Sequence, residues 1–395
     1  MGDRVGIIGG GQLAWMMGMA ARKMGIDLIV QTPEPSDPAV SVAADVCYGA
    51  VANANVTAKL AQQCDVITFE NEFVDLDALQ KLERQGITFY PALASLQPLL
   101  DKYHQRQFFR AHYIPTPDFH AIERNLDSSQ GSASPLDAIP ASMLTFPVVL
   151  KSRRLGYDGQ GTHIVKSNDA LQTILKESRH STVDWLLEAF VPFEKELAIM
   201  AARSADGAIV LYPVVETQQE QQVCRRVLML PDLPEAVVHQ VEAIAKTIVE
   251  KLNVVGIFGI ELFLTASGDV LVNEVAPRTH NSGHYTLDAC SVSQFEQQLR
   301  AVCQKPLQTP QRLSQGAVMV NLLGFESSQD DYLDRRETIA ALPHTHVYWY
   351  GKTEARPGRK LGHATTLLHE ANPQQLRDHA TAIANQIESL WNPST

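Results

Sequence analysis

The chain has 395 residues, 45% of them apolar and 19% charged, and a formal net charge of −11. This is globular composition in a chain too long for one ordinary core, so two or three domains are expected. The acidic balance argues against a general binder of nucleic acid or anionic membrane. The five scattered cysteines suggest neither a disulfide framework nor a zinc site, and no apolar run reaches the length of a membrane span. The opening MGDRVGIIGGG reads as strand and turn rather than signal peptide, so a cytoplasmic location is expected.

Arg4 to Ile8 reads as a strand, Gly9-Gly10-Gly11 as a turn and Gln12 to Met24 as a helix, the opening βα unit of a doubly wound sheet. Gly9, Gly11 and Ala14 fit a loose dinucleotide fingerprint. However, the second strand, Leu28 to Gln31, ends without the ribose-binding acid that a nicotinamide cofactor requires. The reading kept is a tight strand-to-helix turn, on which a phosphate or ribose can rest. Asp65 to Glu72 is read as the third strand, delivering Glu70, Asn71 and Glu72 at the end where open α/β sheets bind ligands. Ile87 to Pro91 reads as another strand. Leu99 to Tyr113 reads as a helix carrying Asp101, Lys102, Gln105 and Arg106, and the first domain is placed at residues 1–100.

Glu123 to Pro140 is a polar linking loop. Phe146 to Lys151 is a strand ending in lysine, followed by Gly156-Tyr157-Asp158-Gly159-Gln160-Gly161 and a return strand, Thr162 to Lys166. A glycine-rich hairpin beside a lysine can fold its N–H groups over polyphosphate, or it can be a flexible hairpin and no more. Asp184 to Glu188 and Lys195 to Arg203 read as strands. The segment Glu188-Ala189-Phe190-Val191 between them suits either an adenine pocket, with Glu196 toward ribose, or an ordinary connection. Ala236 to Leu252 is an amphipathic helix with Val237, Val241, Ile244, Ala245, Ile248 and Leu252 on one stripe.

The densest chemistry lies in GIFGIELFLTASGDVLVNEVAPRTHNSGHYT, Gly256 to Thr286. A hairpin turning on Ser267-Gly268 sets Glu261 opposite Glu274, with Cβ atoms roughly 5 Å apart. Like charges so close make sense with cations between them, Mg²⁺ above all, since it takes one or two carboxylates plus substrate phosphates. Two glutamates on a wet face are the alternative. The donor-rich Ala-Pro-Arg-Thr-His-Asn-Ser-Gly-His that follows reads as a loop holding a charged substrate.

Beyond Leu313, Ala317 to Gly324 and Thr345 to Tyr350 read as strands, and Pro373 to Leu390 as a closing helix capped by Asn372. Between them, GKTEARPGRKLGH gathers Lys352, Arg356, Arg359 and Lys360, either a solvated basic turn or an anion-binding loop.

In order, KSRRLGYDGQG, EAFVPFEKE, GIELF…VNEVAPRTHNSGH and WYGK…RPGRKLGH resemble the ATP-grasp superfamily. Within it they resemble the ATP-dependent 5-(carboxyamino)imidazole ribonucleotide synthases (PurK) of purine biosynthesis. The likeness runs from GGGQL to GRKLGH, and NEVAPRTHNSGH and RPGRKLGH are its most specific segments. It implies an α/β and α+β protein: a biotin-carboxylase-like (Rossmann-like) N-terminal domain at 1–100, a two-lobed ATP-grasp domain at 101–310 with its phosphate lid near 151–166, and a small C-terminal domain at 311–395. It further implies a homodimer that joins ATP, bicarbonate and aminoimidazole ribonucleotide through carboxyphosphate, with Mg²⁺ or Mn²⁺ as cofactor and no nucleic-acid or membrane partner.

By matching position, the resemblance implies that Lys102, Lys151 and the lid Gly156, Tyr157, Asp158, Gly159, Gln160 and Gly161 meet the ATP phosphates. Glu188, Ala189, Phe190 and Val191 would hold adenine, and Glu196 ribose, with Gln219 and Asn273 also in the ATP site. Glu261 and Glu274 would carry the metal. Arg278, His280 and Asn281 resemble the bicarbonate and imidazole contacts, and Tyr157, Asp158 and Lys352 resemble groups near the reacting amine. Arg359 and Lys360, with Arg356, would take the ribonucleotide phosphate, and Gln12, Glu70 and Glu72 would meet the substrate.

Two positions depart from the family pattern. Gln160 stands where a basic residue is frequent, and Gln219, within TQQEQQVCRR, falls near the place of a histidine. Both bear on affinity or loop geometry more than on the reaction. Competing readings are another ATP-grasp carboxylase, a formate-dependent transformylase, a dinucleotide-binding oxidoreductase and a binding protein that kept the fold without turnover.

Overall fold

In this computed structural model, residues 3–122, 139–154, 161–178 and 183–392 are described. Gly156, Tyr157, Asp158, Gly159 and Gln160 therefore lie outside the described residues.

The first strands form where apolar runs meet glycine turns. β1 (Arg4–Ile8), α1 (Gln12–Met24), β2 (Asp27–Thr32), β3 (Asp45–Tyr48), α2 (Ala54–Ala61), β4 (Val66–Phe69), α3 (Leu76–Glu83) and α4 (Leu93–Leu96) make a parallel sheet of order β3-β2-β1-β4. Chain order reverses beside β1, so the crevice outside the ends of β1 and β4 is the place where such sheets hold ligands. Gln12 and Glu70 to Glu72 both issue there. The strand delivering these acids is the fourth, not the third. The short DVCY of β3 carries too little apolar periodicity to be read from sequence. The strand expected at Ile87 to Pro91 reduces to a single bridge from Phe89 to Ile67.

α5 (Lys102–Ala111) starts later than expected, because the Asp101 side chain accepts from Tyr103 N at 2.9 Å and caps it. It leads into a small antiparallel sheet: β5 (Phe119–Ile122), β6 (Val148–Ser152), β7 (Thr162–Val165), α6 (Asn168–Glu177) and β8 (Trp185–Ala189), in the order β5-β8-β6-β7.

The third sheet has nine strands. Its elements are β9 (Phe193–Arg203), β10 (Ile209–Leu211), β11 (Val215–Glu220), β12 (Val223–Met229), α7 (Glu235–Lys251), β13 (Gly256–Thr265), β14 (Val270–Ala276), α8 (Thr286–Ala289), α9 (Gln294–Val302), β15 (Gly316–Leu323), α10 (Leu333–Ala340), β16 (Thr345–Trp349), β17 (Lys360–Leu368) and α11 (Pro373–Trp391). The order is β14-β13-β9-β11-β12-β15-β17-β16, with β10 beside β9. The C-terminal strands thus extend the central sheet through the β12–β15 pairing. The stripe of α7 packs on one face of this sheet in a core that includes Phe109 and Val272.

Buried polar and apolar contacts hold α5 and the first sheet against the third. Gln105 on α5 donates to Val275 O (3.2 Å) and accepts from Val275 N (3.0 Å), which pins α5 to β14. Gln298 on α9 accepts from Ile257 N at 2.6 Å and donates to Thr68 Oγ1 at 2.8 Å, tying β13 to β4. Met16 and Met17 of α1 share a core with Phe295, Leu299 and Tyr350. The space left between the sheets is the cleft described next.

Candidate active site

A cleft of about 830 Å³ opens where the three sheets meet. Gln12, Glu70, Glu72, Lys102, Lys151, the segment Glu188 to Val191, Glu196, Gln219, Glu261, Asn273, Glu274, Arg278, His280, Asn281 and Lys360 all line it. Residues far apart in sequence are therefore neighbours here. Gly161, Lys352, Arg356 and Arg359 are not among its lining.

At the floor, Glu261 and Glu274 are direct partners across β13 and β14. The turn is not the two-residue one expected. Gly268 N donates to Thr265 O and Thr265 N to Asp269 O, both at 3.0 Å, closing a loop of Ala266, Ser267 and Gly268. Gly268 takes φ 87, as a three-residue hairpin with a bulge requires. That register alone would pair Glu261 with Asn273. A shift between Glu261 and Leu262 adds one residue to β14 and brings Glu274 opposite Glu261 as well. Asn273 Nδ2 lies 3.4 Å from Glu261 Oε2, so the consecutive Asn273 and Glu274 both serve one face.

Charge at this floor is uneven. Lys102 Nζ sits 2.6 Å from Glu274 Oε1 and holds that carboxyl below its usual range although burial works against it. Burial and the neighbouring Glu274 push Glu261 up to about 7, and burial and Glu261 push Glu196 up to about 7. Both acids are only half-buried, and added positive charge beside them would lower both. Among the described residues no three His, Cys, Asp or Glu groups are arranged as a complete metal cage. Two carboxylates are nevertheless the donor set Mg²⁺ takes when phosphates and water complete its shell, so the residues fit such an ion.

Above the floor, Glu188 is 2% exposed and bound on both oxygens: Arg106 Nε donates to Oε1 at 2.6 Å, and Lys151 Nζ lies 2.8 Å from Oε2. Burial opposes its charge, but Arg106 and Lys151 outweigh it and hold the carboxyl at about 2. Lys151 also donates to Asn273 Oδ1 at 3.0 Å, and Arg106 to Asn273 O at 2.6 Å. The carboxylate of Glu188 therefore positions cations, and Ala189, Phe190 and Val191 are what else this segment brings to the cleft lining. Arg106 was visible on its helix but had no assigned role. Its partners are 82 and 167 residues away, so no local signal could find them.

The loop after β14 is built against the cleft wall. Arg278 Nε lies 2.9 Å from Glu72 Oε1, joining the loop to the end of β4. His280 Nε2 lies 3.6 Å from Glu261 Oε1, and its Nδ1 is 2.9 Å from Ser282 Oγ. A Cβ on Gly259 would come 2.5 Å from His280 Cβ, so glycine there admits the histidine. Asn281 and Asn321 exchange amide hydrogen bonds of 2.9 and 2.8 Å, which ties the loop to β15. Asn321 and Gln294 carry this loop from elements whose sequences read only as core.

Behind the opposite wall, Lys352 Nζ donates to Gln12 Oε1 and to Lys360 O, each at 2.6 Å, bracing two residues that line it. Arg359 donates to Glu354 O at 2.7 Å instead. The Glu70 carboxylate fills the glycine turn: a Cβ on Gly9 would meet its Oε2 at 2.6 Å, and one on Gly11 would clash with its Oε1. The Glu70 side chain would have to move for a dinucleotide pyrophosphate to sit at the start of α1.

Comparison with known proteins agrees with this layout. Residues 2–98 match the ribonucleotide synthetase preATP-grasp domain, 107–295 the ATP-grasp domain, and 317–375 the phosphoribosylaminoimidazole carboxylase C-terminal domain. The chain is 52% identical to an N5-carboxyaminoimidazole ribonucleotide synthase of Synechococcus elongatus, over 100% of this chain and 97% of that protein. It resembles the crystal structure of the Thermotoga maritima N5-carboxyaminoimidazole ribonucleotide synthetase at 35% identity and a TM-score of 0.83, covering 98% of both chains. It also resembles the Aspergillus clavatus synthase crystallised with ADP and 5-aminoimidazole ribonucleotide, at 27% identity and a TM-score of 0.86, covering 98% and 99% of the two chains.

Proposed function

The chain belongs to the N5-carboxyaminoimidazole ribonucleotide synthases, ligases built on the ATP-grasp fold, and from that premise we propose how its cleft runs their reaction. The reaction is the ATP-dependent carboxylation of aminoimidazole ribonucleotide in purine biosynthesis. Bicarbonate is the carbon source. One of its oxygens attacks the γ-phosphorus, ADP leaves, and carboxyphosphate results. The exocyclic amine then attacks the carboxyl carbon, phosphate leaves, and the amine proton departs to give the carbamate.

Lys102 and Lys151 would meet the ATP phosphates from the two walls of the floor, with Arg106 and Glu188 keeping Lys151 in place. Glu261 and Glu274 would hold Mg²⁺, or Mn²⁺ in its place, whose charge neutralises phosphate oxygens when bound. The segment Glu188 to Val191 would hold adenine and Glu196 the ribose. Arg278, steadied by Glu72, would stabilise the anionic charge of carboxyphosphate, with His280 and Asn281 beside it. Lys352 and Lys360 would face the ribonucleotide with Gln12, Glu70 and Glu72, while Arg356 and Arg359 would reach its phosphate only from outside the cleft lining. Exclusion of water matters, because carboxyphosphate hydrolyses.

The observation that carries this reading is a single cleft holding a paired-carboxylate floor, two lysines and the Arg278–Asn281 loop. Domain boundaries at residues 100 and 310, a homodimer and a cytoplasmic location belong to the same proposal. Among the described residues no helix is long and apolar enough to cross a membrane. The test is ADP release with ATP, Mg²⁺ and bicarbonate, with and without aminoimidazole ribonucleotide. Strong stimulation is expected. Turnover indifferent to the ribonucleotide would overturn the acceptor assignment.

A further inference from the structure

Two histidines of the most specific motifs, the last residues of NSGH and of RKLGH, have no part in the chemistry above. His284 and His363 are both 0% exposed, and their rings lie 5.0 Å apart between centroids. One nitrogen of each is engaged. Gln294 Nε2 is 3.0 Å from His284 Nδ1, and the Tyr350 hydroxyl is 2.8 Å from His363 Nδ1. The Nε2 atom of each has no hydrogen-bond partner among the described residues. Two orphaned nitrogens in adjacent buried rings are costly unless each completes the other.

The proton positions follow from Gln294. Its Oε1 accepts from His280 N at 2.9 Å and its Nε2 donates to His280 O at 2.8 Å. A backbone N–H only donates and a carbonyl only accepts, so the amide cannot be turned over. Gln294 Nε2 is then the donor to His284 Nδ1, which must be bare. Burial keeps His284 well below its ordinary value and pushes His363 down to about 3, so both rings are neutral. The proton of His284 therefore sits on Nε2. Only a bare Nε2 on His363 complements it, which puts the His363 proton on Nδ1, toward the Tyr350 oxygen.

We propose that His284 and His363 are a positioning pair, bonded Nε2–H to Nε2 after a small ring rotation, that fastens the Arg278–Asn281 loop to β17. β17 begins at Lys360, which lines the cleft and receives Lys352 on its carbonyl. The pair thus sets the spacing between the groups assigned above to carboxyphosphate and those assigned to the ribonucleotide, and in that respect it rests on the proposed function.

His363→Leu removes the acceptor, whereas His363→Gln can place an amide oxygen near the lost Nε2. The leucine variant is expected to raise the KM for aminoimidazole ribonucleotide about tenfold, the size of one lost buried hydrogen bond, and to leave the KM for ATP unchanged. The glutamine variant should recover most of that loss. A folded leucine variant with unchanged ribonucleotide KM, or a glutamine variant no better than leucine, overturns the proposal. If the leucine variant does not fold, nitrogen-15 spectra of histidine-labelled wild-type protein decide, without substrate. The expected tautomers are Nε2–H at His284 and Nδ1–H at His363, and the opposite tautomer or a cationic ring at either overturns the pair. Wild-type protein without ribonucleotide-dependent ADP release would instead refute the proposed function and leave the tautomer result standing.

Discussion

Asn273 and Glu274 are consecutive in the chain, yet both serve the face of Glu261. In a regular strand their side chains would point to opposite faces. The extra residue in β14 cancels that alternation, so one amide and two carboxylates gather beside Lys102 and Lys151. The floor of the cleft depends on this irregularity.

Glu274→Gln keeps the volume of the side chain but removes the charge that pairs with Lys102 and completes the cation site. ATP turnover should fall by at least about a hundredfold, the order seen when one preorganised electrostatic group is lost. The circular dichroism spectrum should stay that of the native fold. Turnover at the native rate would refute the metal assignment.

Arg106→Met leaves Glu188 buried with one of its two cations gone and Asn273 O without its donor. Breaking one partner of a buried pair costs about 3–5 kcal/mol, and urea unfolding should show a loss of that order. A change below about 1 kcal/mol would mean that Lys151 alone can neutralise Glu188.

Glu216 on β11 is held by Lys195 at 2.8 Å and by Arg377 at 2.7 Å, which lower its carboxyl to about 2 against the effect of burial. A carboxyl depressed in the folded state contributes stability above its unfolded value. That contribution is lost as pH falls from the ordinary glutamate range toward about 2. Glu216→Gln should be less stable at neutral pH and lose less on acidification through that window. Parallel acid-unfolding curves for the two proteins would contradict this.

Lys360 lines the cleft, whereas Arg359 is turned to the carbonyl of Glu354. Lys360→Met should raise the KM for the ribonucleotide about tenfold, the loss of one charge-assisted contact, and Arg359→Ala by less, both with ATP KM unchanged. The reverse order would move the phosphate site to the Arg356–Arg359 turn.

Local chemistry was readable wherever period and punctuation agree. β1 and α1 follow from an apolar run, three glycines and a helical stretch, and α11 from Asn372 as cap and Pro373 at its first position. The opposition of Glu261 and Glu274 was also legible, although by a shorter route than the chain takes. A presumed two-residue turn reached the same pairing as the real three-residue loop plus a bulge at Asn273.

What the sequence by itself determined was therefore the elements with strong period, the order of the motifs and the residue types they carry. Tertiary structure alone decided that Arg106 holds Glu188, that Asn321 holds Asn281, that Glu70 fills the glycine turn, and that β15 continues the central sheet from β12. These are pairings between distant segments, and their energy comes from desolvating charges and amides against one another. Residue spacing along the chain carries no record of that. Periodicity tells which face of an element is buried; only packing tells what it is buried against.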